Sequence, residues 1–213
     1  MKVKQIVFLF ILVTLNACTC AMALKASIGV GAYDALSQTI SYLFDVKVGT
    51  IGIMLNCSCV FGEWLILKRE FQIRHILQVP VCLVLGMVVN YVLYSLMTFS
   101  LNNYIFRVGL LLCAYIFMAI ICGGIMALDI VTFPLEGLCM ACSKKYNLSF
   151  AKIRQGVDIV CILISLIITS LLQMDFVIRE GTIIGMIIFA PMMNYAMKKE
   201  KKLFIKLGMI DNV

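Results

Sequence analysis

Residues 105–128 read IFRVGLLLCAYIFMAIICGGIMAL, a continuous apolar run in which the only charged residue is Arg107. A helix needs about 20 apolar residues to cross the hydrocarbon core of a bilayer, so this run predicts a transmembrane helix. Five other runs meet the same requirement. The predicted spans are 6–24, 48–67, 76–97, 105–128, 151–172 and 182–197. The chain is therefore predicted to be an all-α membrane protein with six transmembrane helices.

The composition leads to the same conclusion. Of the 213 residues, 63% are hydrophobic and 14% are charged, and the mean hydropathy is +1.05. Soluble globular domains average about 45–50% apolar and about 25% charged residues. A soluble fold of this size could not bury so much apolar surface. The composition excludes a soluble domain and predicts one integral membrane domain over residues 1–213, in contact with the lipid bilayer.

The positions of the cations predict the orientation. With the N-terminus in the cytoplasm, fourteen of the 18 Lys and Arg residues fall on the cytoplasmic side. The other four are Lys25, Lys47, Arg107 and Arg179. Because cytoplasmic loops are enriched in Lys and Arg, both termini are predicted to be cytoplasmic, with residues 199–213 as a basic tail. This bias accounts for the net charge of +7 without a nucleic-acid partner.

Two segments between the spans, 33–44 and 134–146, are too short to cross a bilayer. Gly29 and Gly31 precede the first, and Pro134 opens the second. Glycine interrupts a preceding helix, and proline is well tolerated in the first turn of a new one. Each segment is predicted to be a short helix that lies in the membrane interface or re-enters the membrane.

The two halves of the chain resemble each other when one is shifted by about 102 positions. The halves are residues 5–98 and 104–198, each with three predicted spans and one short helix. An odd number of spans makes the second half enter from the opposite face, which gives inverted-topology repeats of the kind found in secondary transporters. The polar positions that coincide are Asp34 with Glu136, Asn56 with Asp158, and Asn90 with Asn194.

Three of the polar residues inside predicted spans are the main candidates for a functional site: Asp158, Asn56 and Glu63. Ionisable groups are costly in a bilayer, so they mark candidate substrate or ion pathways. Asp158 and Asn56 each lie about 10 Å from one membrane face, near the midplane. Glu63 follows Asn56 by seven residues and shares its helix face. The structural alternative is that these groups only form hydrogen bonds between helices.

Four further polar residues are weaker candidates for the same pathway. Asp34 and Glu136 begin the two short helices, where a carboxylate complements the helix dipole. Because the halves are inverted, these acids are expected at opposite mouths of the protein. If they contact a substrate or a cation, they act as entrance groups. Asn90 and Asn194 lie near the ends of the third and sixth spans. Each either contacts a ligand or is a polar group at the end of a helix.

The chain contains none of the motifs that mark common enzymes. There is no H-E-x-x-H, G-x-S-x-G or G-x-x-x-x-G-K-[ST] pattern, so no protease, hydrolase or ATPase activity is expected. Cys139 and Cys142 have metal-ligand spacing, but no second pair completes a site. We expect no catalytic residues, no metal and no cofactor.

Several of these segments carry a family resemblance. Residues 29–36, GVGAYDAL, resemble the G-x-G-P-W-D-x-L segment of the YczE/YyaS/YitT group of bacterial multi-pass membrane proteins, with Ala32 and Tyr33 in place of Pro and Trp. Val48-Gly49-Thr50 and residues 134–138, PLEGL, extend the match, although Glu136 stands where Asp is usual. The resemblance implies a bacterial cytoplasmic (inner) membrane protein, often linked to transport, without the soluble C-terminal domain of the YitT members.

Three functions are compatible with these observations. The leading hypothesis is a small secondary transporter or permease-like protein for an unknown small molecule or ion, with Asp158, Asn56 and Glu63 lining a central site. One alternative is the substrate-binding membrane subunit of an ATP-driven uptake system. The other is an accessory or sensory membrane protein. A homo-oligomer or a partner membrane complex is compatible with each.

Overall fold

The computed structural model describes residues 3–208 and 210, and this part of the chain is helical, without β-strands. A 3₁₀ turn covers Lys68–Glu70 and a π-helical turn covers Val92–Leu96. The helices are α1 (Val3–Ala26), α2 (Ala32–Phe44), α3 (Val48–Leu67), α4 (Ile73–Ile76), α5 (Gln78–Tyr91), α6 (Tyr104–Leu128), α7 (Pro134–Tyr146), α8 (Phe150–Leu171) and α9 (Glu180–Lys206).

Five helical segments within the described residues are long and apolar enough to cross a membrane. They match the first five predicted spans to within a few residues, and α2 and α7 match the two predicted short helices. The chain is therefore a multi-pass helical membrane protein. The spanning segments are Lys4–Ala26, Val48–Glu70, Ile73–Leu96, Tyr104–Leu128 and Phe150–Leu171.

The helix α9 packs along α6 and runs parallel to it. A Cβ atom built on Gly181 would lie 2.6 Å from Leu111 Cδ2, and one built on Gly123 would lie 2.9 Å from Ala196 Cβ. Such approach requires small residues at the contact. The uncharged part of α9, residues 181–197, is shorter than the about 20 residues of a typical span. Among the long helices of the described residues, α9 does not meet the combined length and hydropathy requirement for a span.

The beginning of the predicted tail continues α9 rather than leaving the bundle. Phe204 is buried and its ring meets Phe8 of α1 edge-on, with 5.6 Å between the ring centroids. This apolar contact holds the last turns of α9 as far as Lys206. Residues 209 and 211–213 of the predicted tail lie outside the described residues.

The two short helices end in the same way. Asp45 after α2 and Asn147 after α7 both adopt left-handed backbone conformations, with φ angles of 52° and 53°. Their N–H groups donate to the carbonyl oxygens of Ser41 and Ser143. Asp and Asn tolerate this conformation better than other residues with a Cβ atom. Each pair of matching residues is 102 positions apart.

The segments that enter the short helices also match. Ser27 after α1 and Asp129 after α6 have φ angles of 52° and 50°. At the start of α2 the N–H of Ala35 donates to Gly31 O at 2.8 Å, and at the start of α7 the N–H of Gly137 donates to Phe133 O at the same distance. The spacing of 102 residues is again constant. The backbone thus follows the same path through both connections.

Both short helices begin deep in the bundle, between α3 and α8. Tyr33, in the first turn of α2, places its hydroxyl 3.4 Å from Asn56 Oδ1 and 3.6 Å from Cys59 Sγ. Leu135, in the first turn of α7, packs on the same Cys59. Val157 of α8 packs against the clusters that contain both of these side chains. The N-terminal ends of α2 and α7 therefore meet halfway along α3.

From this meeting point the short helices run in opposite directions. α2 leads towards the start of α3, whereas α7 leads towards its end, where Lys144 forms an ion pair with Glu70. We call the end of the bundle that holds this ion pair the basic end. α2 packs on α8, and α7 packs on α3, so each short helix leans on a long helix of the other half.

Candidate functional site

A group of four charged side chains occupies the point where α2 and α7 meet. Arg154 of α8 donates from Nε to Glu136 Oε1 at 3.4 Å and from Nη1 to Asp158 Oδ1 one turn further along α8. Asp34 interacts electrostatically with these three residues. We call Asp34, Glu136, Arg154 and Asp158 the central cluster. Its side chains are mostly screened from solvent, since those of Arg154, Glu136 and Asp158 are 28%, 24% and 22% exposed.

The local sequence explains how these charges come together. Asp34 and Glu136 lie in the first turns of α2 and α7. Two helix N-termini carry partial positive charge, which stabilises the carboxylates beside them. The structure differs here from the expectation that the two acids face opposite mouths of the protein. The extended residues 27–31 and 129–133 turn back into the bundle and bring both acids to Arg154.

The charges of the central cluster do not balance. Three ionised carboxylates and one guanidinium leave a formal charge of −2, and two helix N-termini contribute roughly +0.5 each. Removal from water raises the pKa of the Asp34 carboxyl, Arg154 opposes this rise, and Glu136 and Asp158 add to it. Burial likewise raises the pKa of Glu136, against the effect of Arg154. The remaining charge of about −1 suits one bound proton or one monovalent cation.

Asn56 joins the central cluster through Tyr33. Its side-chain amide donates to Gly52 O at 2.9 Å on its own helix, and its Oδ1 faces the Tyr33 hydroxyl. Tyr33 precedes Asp34 in the first turn of α2. The structure thus brings the predicted site residues Asn56, Asp34, Glu136 and Asp158 into one region.

Glu63 lies apart from the central cluster. Its side chain is 2% exposed, and its Oε1 atom lies 2.6 Å from Nδ1 of His75, which follows the turn after α3. His75 also stacks on Phe71, with ring centroids 5.0 Å apart. The spacing of seven residues predicts that Glu63 and Asn56 share one helix face. In the structure, the Glu63 side chain instead lies towards the basic end of the protein, against His75.

The two remaining candidates do not reach the central cluster. Asn90 accepts from the N–H of Gly49 at 2.8 Å and donates to Thr50 Oγ1 at 3.0 Å, so it fastens α5 to the start of α3. Asn194 is exposed on α9. The structure therefore favours the structural interpretation of Asn90 and places Asn194 on the surface of the bundle.

A cavity of about 650 Å³ opens at the end of the bundle opposite the basic end. Its wall includes Gly29, Gln38, Arg107, Asp175 and Arg179. Gln38 follows Asp34 by one helical turn on the same side of α2, because residues four apart share a helix face. The amide of Gln38 donates to the Tyr42 hydroxyl at 2.7 Å, and the side chains of the central cluster do not line the cavity.

Sequence reasoning missed Arg154, Tyr33 and His75 as functional candidates. Arg154 had been assigned only to the cytoplasmic charge bias, although its spacing of four residues from Asp158 predicts contact on one helix face. Tyr33 carried no such signal, because its partner Asn56 is brought close by tertiary packing. His75 was predicted to lie in a loop, where its approach to Glu63 depends on the turn between α3 and α4.

Comparison with known proteins gives one result. No curated protein and no solved structure matches the chain. A family described as a family of unknown function, DUF6198, matches residues 3–198, which include α1 to α8, most of α9 and the whole central cluster. The match extends over nearly the entire chain, and the protein therefore belongs to the DUF6198 family.

Proposed function

We propose that the protein is a small secondary transporter or permease that moves a cation, or a substrate together with a proton, through the central cluster. The observation that carries this proposal is the meeting of two oppositely directed helix N-termini at a partly buried group of three carboxylates and one arginine. Binding sites of secondary transporters lie near the bilayer midplane, where broken helices point their ends at the ligand.

The proposed architecture has six spans in two inverted repeats, with α2 and α7 as re-entrant helices. The constant 102-residue spacing of the left-handed residues, helix ends and entry segments supports a duplication of this kind. The packing of α9 along α6 supports α9 as the sixth span. With six spans the termini share one side, and the cations gathered at the basic end make that side the cytoplasm of a bacterial inner membrane.

The cavity supplies a route for alternating access. It would open to the outside in this orientation, and Gln38 in its wall lies one turn of α2 from Asp34. Rocking of one repeat against the other around a fixed site is the usual mechanism in proteins built from inverted repeats. The resemblance of residues 29–36 to the YczE/YyaS/YitT group, often linked to transport, agrees with this proposal.

Transport can be tested on the purified full-length protein in liposomes adsorbed to a solid-supported membrane. Concentration jumps of H⁺, Na⁺, K⁺ and a panel of organic cations should produce a saturable current for at least one of them. We expect Asp158→Asn and Asp34→Asn to lower this current at least tenfold. Glu70→Gln provides a matched control, because Glu70 is an exposed carboxylate at the basic end.

Three outcomes would argue against the proposal. If no probe produced a saturable current, an accessory or sensory role would be favoured over transport. If co-purification with an ATPase were needed for uptake, the chain would be the substrate-binding subunit of an ATP-driven system. Unchanged currents in Asp158→Asn and Asp34→Asn would remove the central cluster from the pathway.

A further inference from the structure

The wall of the cavity at the end opposite the basic end contains a group of polar side chains that the central cluster does not use. Two of them are the arginines Arg107 and Arg179. The amides of Gln38 and Gln173 and the hydroxyl of Tyr42 line the same space. The cavity is therefore a second polar site with its own side chains.

Both arginines occupy positions that are unfavourable for a cation. They are two of only four cations on the side that the charge bias predicts to be external. Arg107 lies in the first turn of α6, and Arg179 immediately precedes α9. A helix N-terminus carries partial positive charge, so it repels a cation and attracts an anion. Two guanidinium groups beside two helix N-termini favour a bound anion.

Neither arginine forms an ion pair with a carboxylate in the part of the chain that the structure describes. Arg107 donates from Nε to Leu101 O at 2.7 Å. Arg179 donates from Nε to Phe176 O at 3.0 Å and from Nη1 to Ser27 O at 3.4 Å. These carbonyl groups hold both side chains in place. Since a guanidinium has five N–H donors, each arginine keeps donors and its full charge for a ligand.

Two acids lie close to these arginines in the sequence or in the wall. Asp175 is an exposed residue of the wall. Glu180 follows Arg179 but is not part of the wall, and its carboxylate accepts from the Tyr104 hydroxyl at 2.8 Å. The wall itself carries two positive charges and one negative charge, which leaves a formal charge of +1. One carboxylate balances this charge.

The uncharged side chains of the wall add hydrogen-bond donors. The Tyr42 hydroxyl accepts from the Gln38 amide, so its own hydrogen is available to an acceptor from outside the chain. Gln173 has a φ angle of 52° in the position after a helix end where glycine is usual. Glycine would adopt this backbone without strain, and the chain instead keeps an amide in the wall.

The size and lining of the cavity indicate an organic ligand. Its volume of about 650 Å³ falls within the range of about 300–1,000 Å³ that is typical of small-molecule sites. A bare inorganic ion would leave most of this space empty. Val30, Met174 and Val177 add apolar surface to the wall. The ligand that matches these features has an apolar part and an anionic group.

The charge of the wall distinguishes between anionic groups. Arginine binds carboxylates and phosphates through the same pair of parallel hydrogen bonds. A phosphate monoester carries a charge of about −1.5 to −2 at neutral pH, which exceeds the +1 of the wall and adds repulsion from Asp175. A carboxylate carries one negative charge and matches the wall.

We propose that this cavity binds a small organic monocarboxylate, with Arg107 and Arg179 holding its carboxylate group. The inference goes beyond the proposed function, because it concerns binding and stands whether or not the protein moves the bound molecule across the membrane. It also requires none of the side chains of the central cluster.

The test uses four probes that share one aromatic ring and differ in charge: benzoate, benzamide, benzylamine and phenyl phosphate. Each is titrated into the full-length protein in detergent, at constant ionic strength and neutral pH, with hexanoate and pyruvate as further carboxylates. Ligands that bind the native state raise the melting temperature in a saturable way. We expect benzoate to raise it, benzamide and benzylamine to leave it unchanged, and phenyl phosphate to bind more weakly than benzoate in isothermal titration calorimetry.

Substitutions in the wall identify the side chains that bind. Arg107→Gln and Arg179→Gln should each weaken benzoate binding about tenfold or more, because a charge-assisted pair of hydrogen bonds is lost. Lys47→Gln is the matched control, since Lys47 is an exposed cation predicted on the same side but is not part of the wall. Gln173→Gly should raise the melting temperature without a probe and weaken benzoate binding, which separates binding from folding.

Two results would overturn the proposal. One is a melting temperature that no carboxylate raises, or that benzamide raises as much as benzoate does. The other is unchanged benzoate binding in folded Arg107→Gln, Arg179→Gln and Gln173→Gly proteins, where folding is judged from the melting temperature without a probe. Asp158→Asn should keep its benzoate response. Benzoate binding without any current would therefore count against transport alone, and currents without carboxylate binding would count against this site alone.

Discussion

Replacing Arg154 by Gln tests the geometry of the central cluster most directly. The substitution keeps a side chain of similar shape and a hydrogen-bond donor but removes the positive charge between Glu136 and Asp158. These carboxylates, and Asp34 beside them, would then face one another without compensation. We expect a loss of stability and, under the proposed function, a loss of transport.

The magnitude follows from the exposure of the three side chains. Breaking a fully buried ion pair by removing one partner costs about 3–5 kcal/mol, whereas exposed pairs contribute about 0–1 kcal/mol. Arg154, Glu136 and Asp158 are each about a quarter exposed. An intermediate loss of about 2–3 kcal/mol is therefore expected. For a chain of this length, that corresponds to a melting temperature lower by about 4–12 °C.

The assay is thermal unfolding in detergent, followed by circular dichroism at one fixed pH. Arg154→Lys should lose less, because it keeps the charge but cannot form two directed bonds as a guanidinium does. The double variant Arg154→Gln with Asp158→Asn should recover part of the loss, because it removes one of the uncompensated carboxylates. A melting temperature of Arg154→Gln within 1 °C of the unmodified protein, or a double variant less stable than Arg154→Gln, would refute the reasoning.

Three further predictions concern packing, hydrogen bonding and pH. Gly123→Val should lower the melting temperature by several degrees, because its Cβ would lie 2.8 Å from Met197 N and separate α6 from α9, whereas Gly109→Ala, with nothing within 4 Å, should leave it unchanged or slightly higher. Tyr33→Phe should cost about 1 kcal/mol in a denaturant titration, since it removes the hydroxyl that faces Asn56 and Cys59; an unchanged midpoint would show that this contact contributes nothing. Because burial raises the pKa of Asp34 in the folded protein, the folded state binds the proton more tightly, so the contribution of Asp34 to stability is greatest at acidic pH and falls as pH rises through the raised pKa. Asp34→Asn should therefore raise the melting temperature near pH 8 and change it little near pH 4, and the opposite dependence would contradict this assignment.

Most of the helices could be predicted from the sequence because the bilayer imposes a simple length rule. The run from Val48 to Leu67 is bounded by Lys47 and Lys68, so the charges mark both ends of α3. Pro134 marks the start of α7 for a different reason, since its ring favours the first helical turn. Boundaries set by charge or by proline are local properties and need no knowledge of the tertiary structure.

The arrangement of the site was harder to predict from the sequence than the helices were. The repeat identified Asp34, Glu136, Asn56 and Asp158 as related positions, and the structure groups them in one region. Their closeness depends on two extended segments that turn back into the bundle, which no spacing along the chain reveals. Glu63 illustrates the same limit, because its ion-pair partner His75 reaches it across a turn whose path is set by packing.

Each short helix packs on a long helix of the other half, and this has a consequence for how the protein assembles during synthesis. During synthesis, α2 emerges long before α8, one of the two long helices on which it packs, and α7 packs on the earlier α3 as well as on α8. At about 5–20 residues per second, the interval between α2 and α8 is on the order of ten seconds. Throughout that time the first half of the chain has entered the membrane, but α8, whose side chains surround Asp34, has not yet been synthesised. We therefore expect neither half to assemble when expressed alone, and the two halves to reconstitute one protein when expressed together from a split gene.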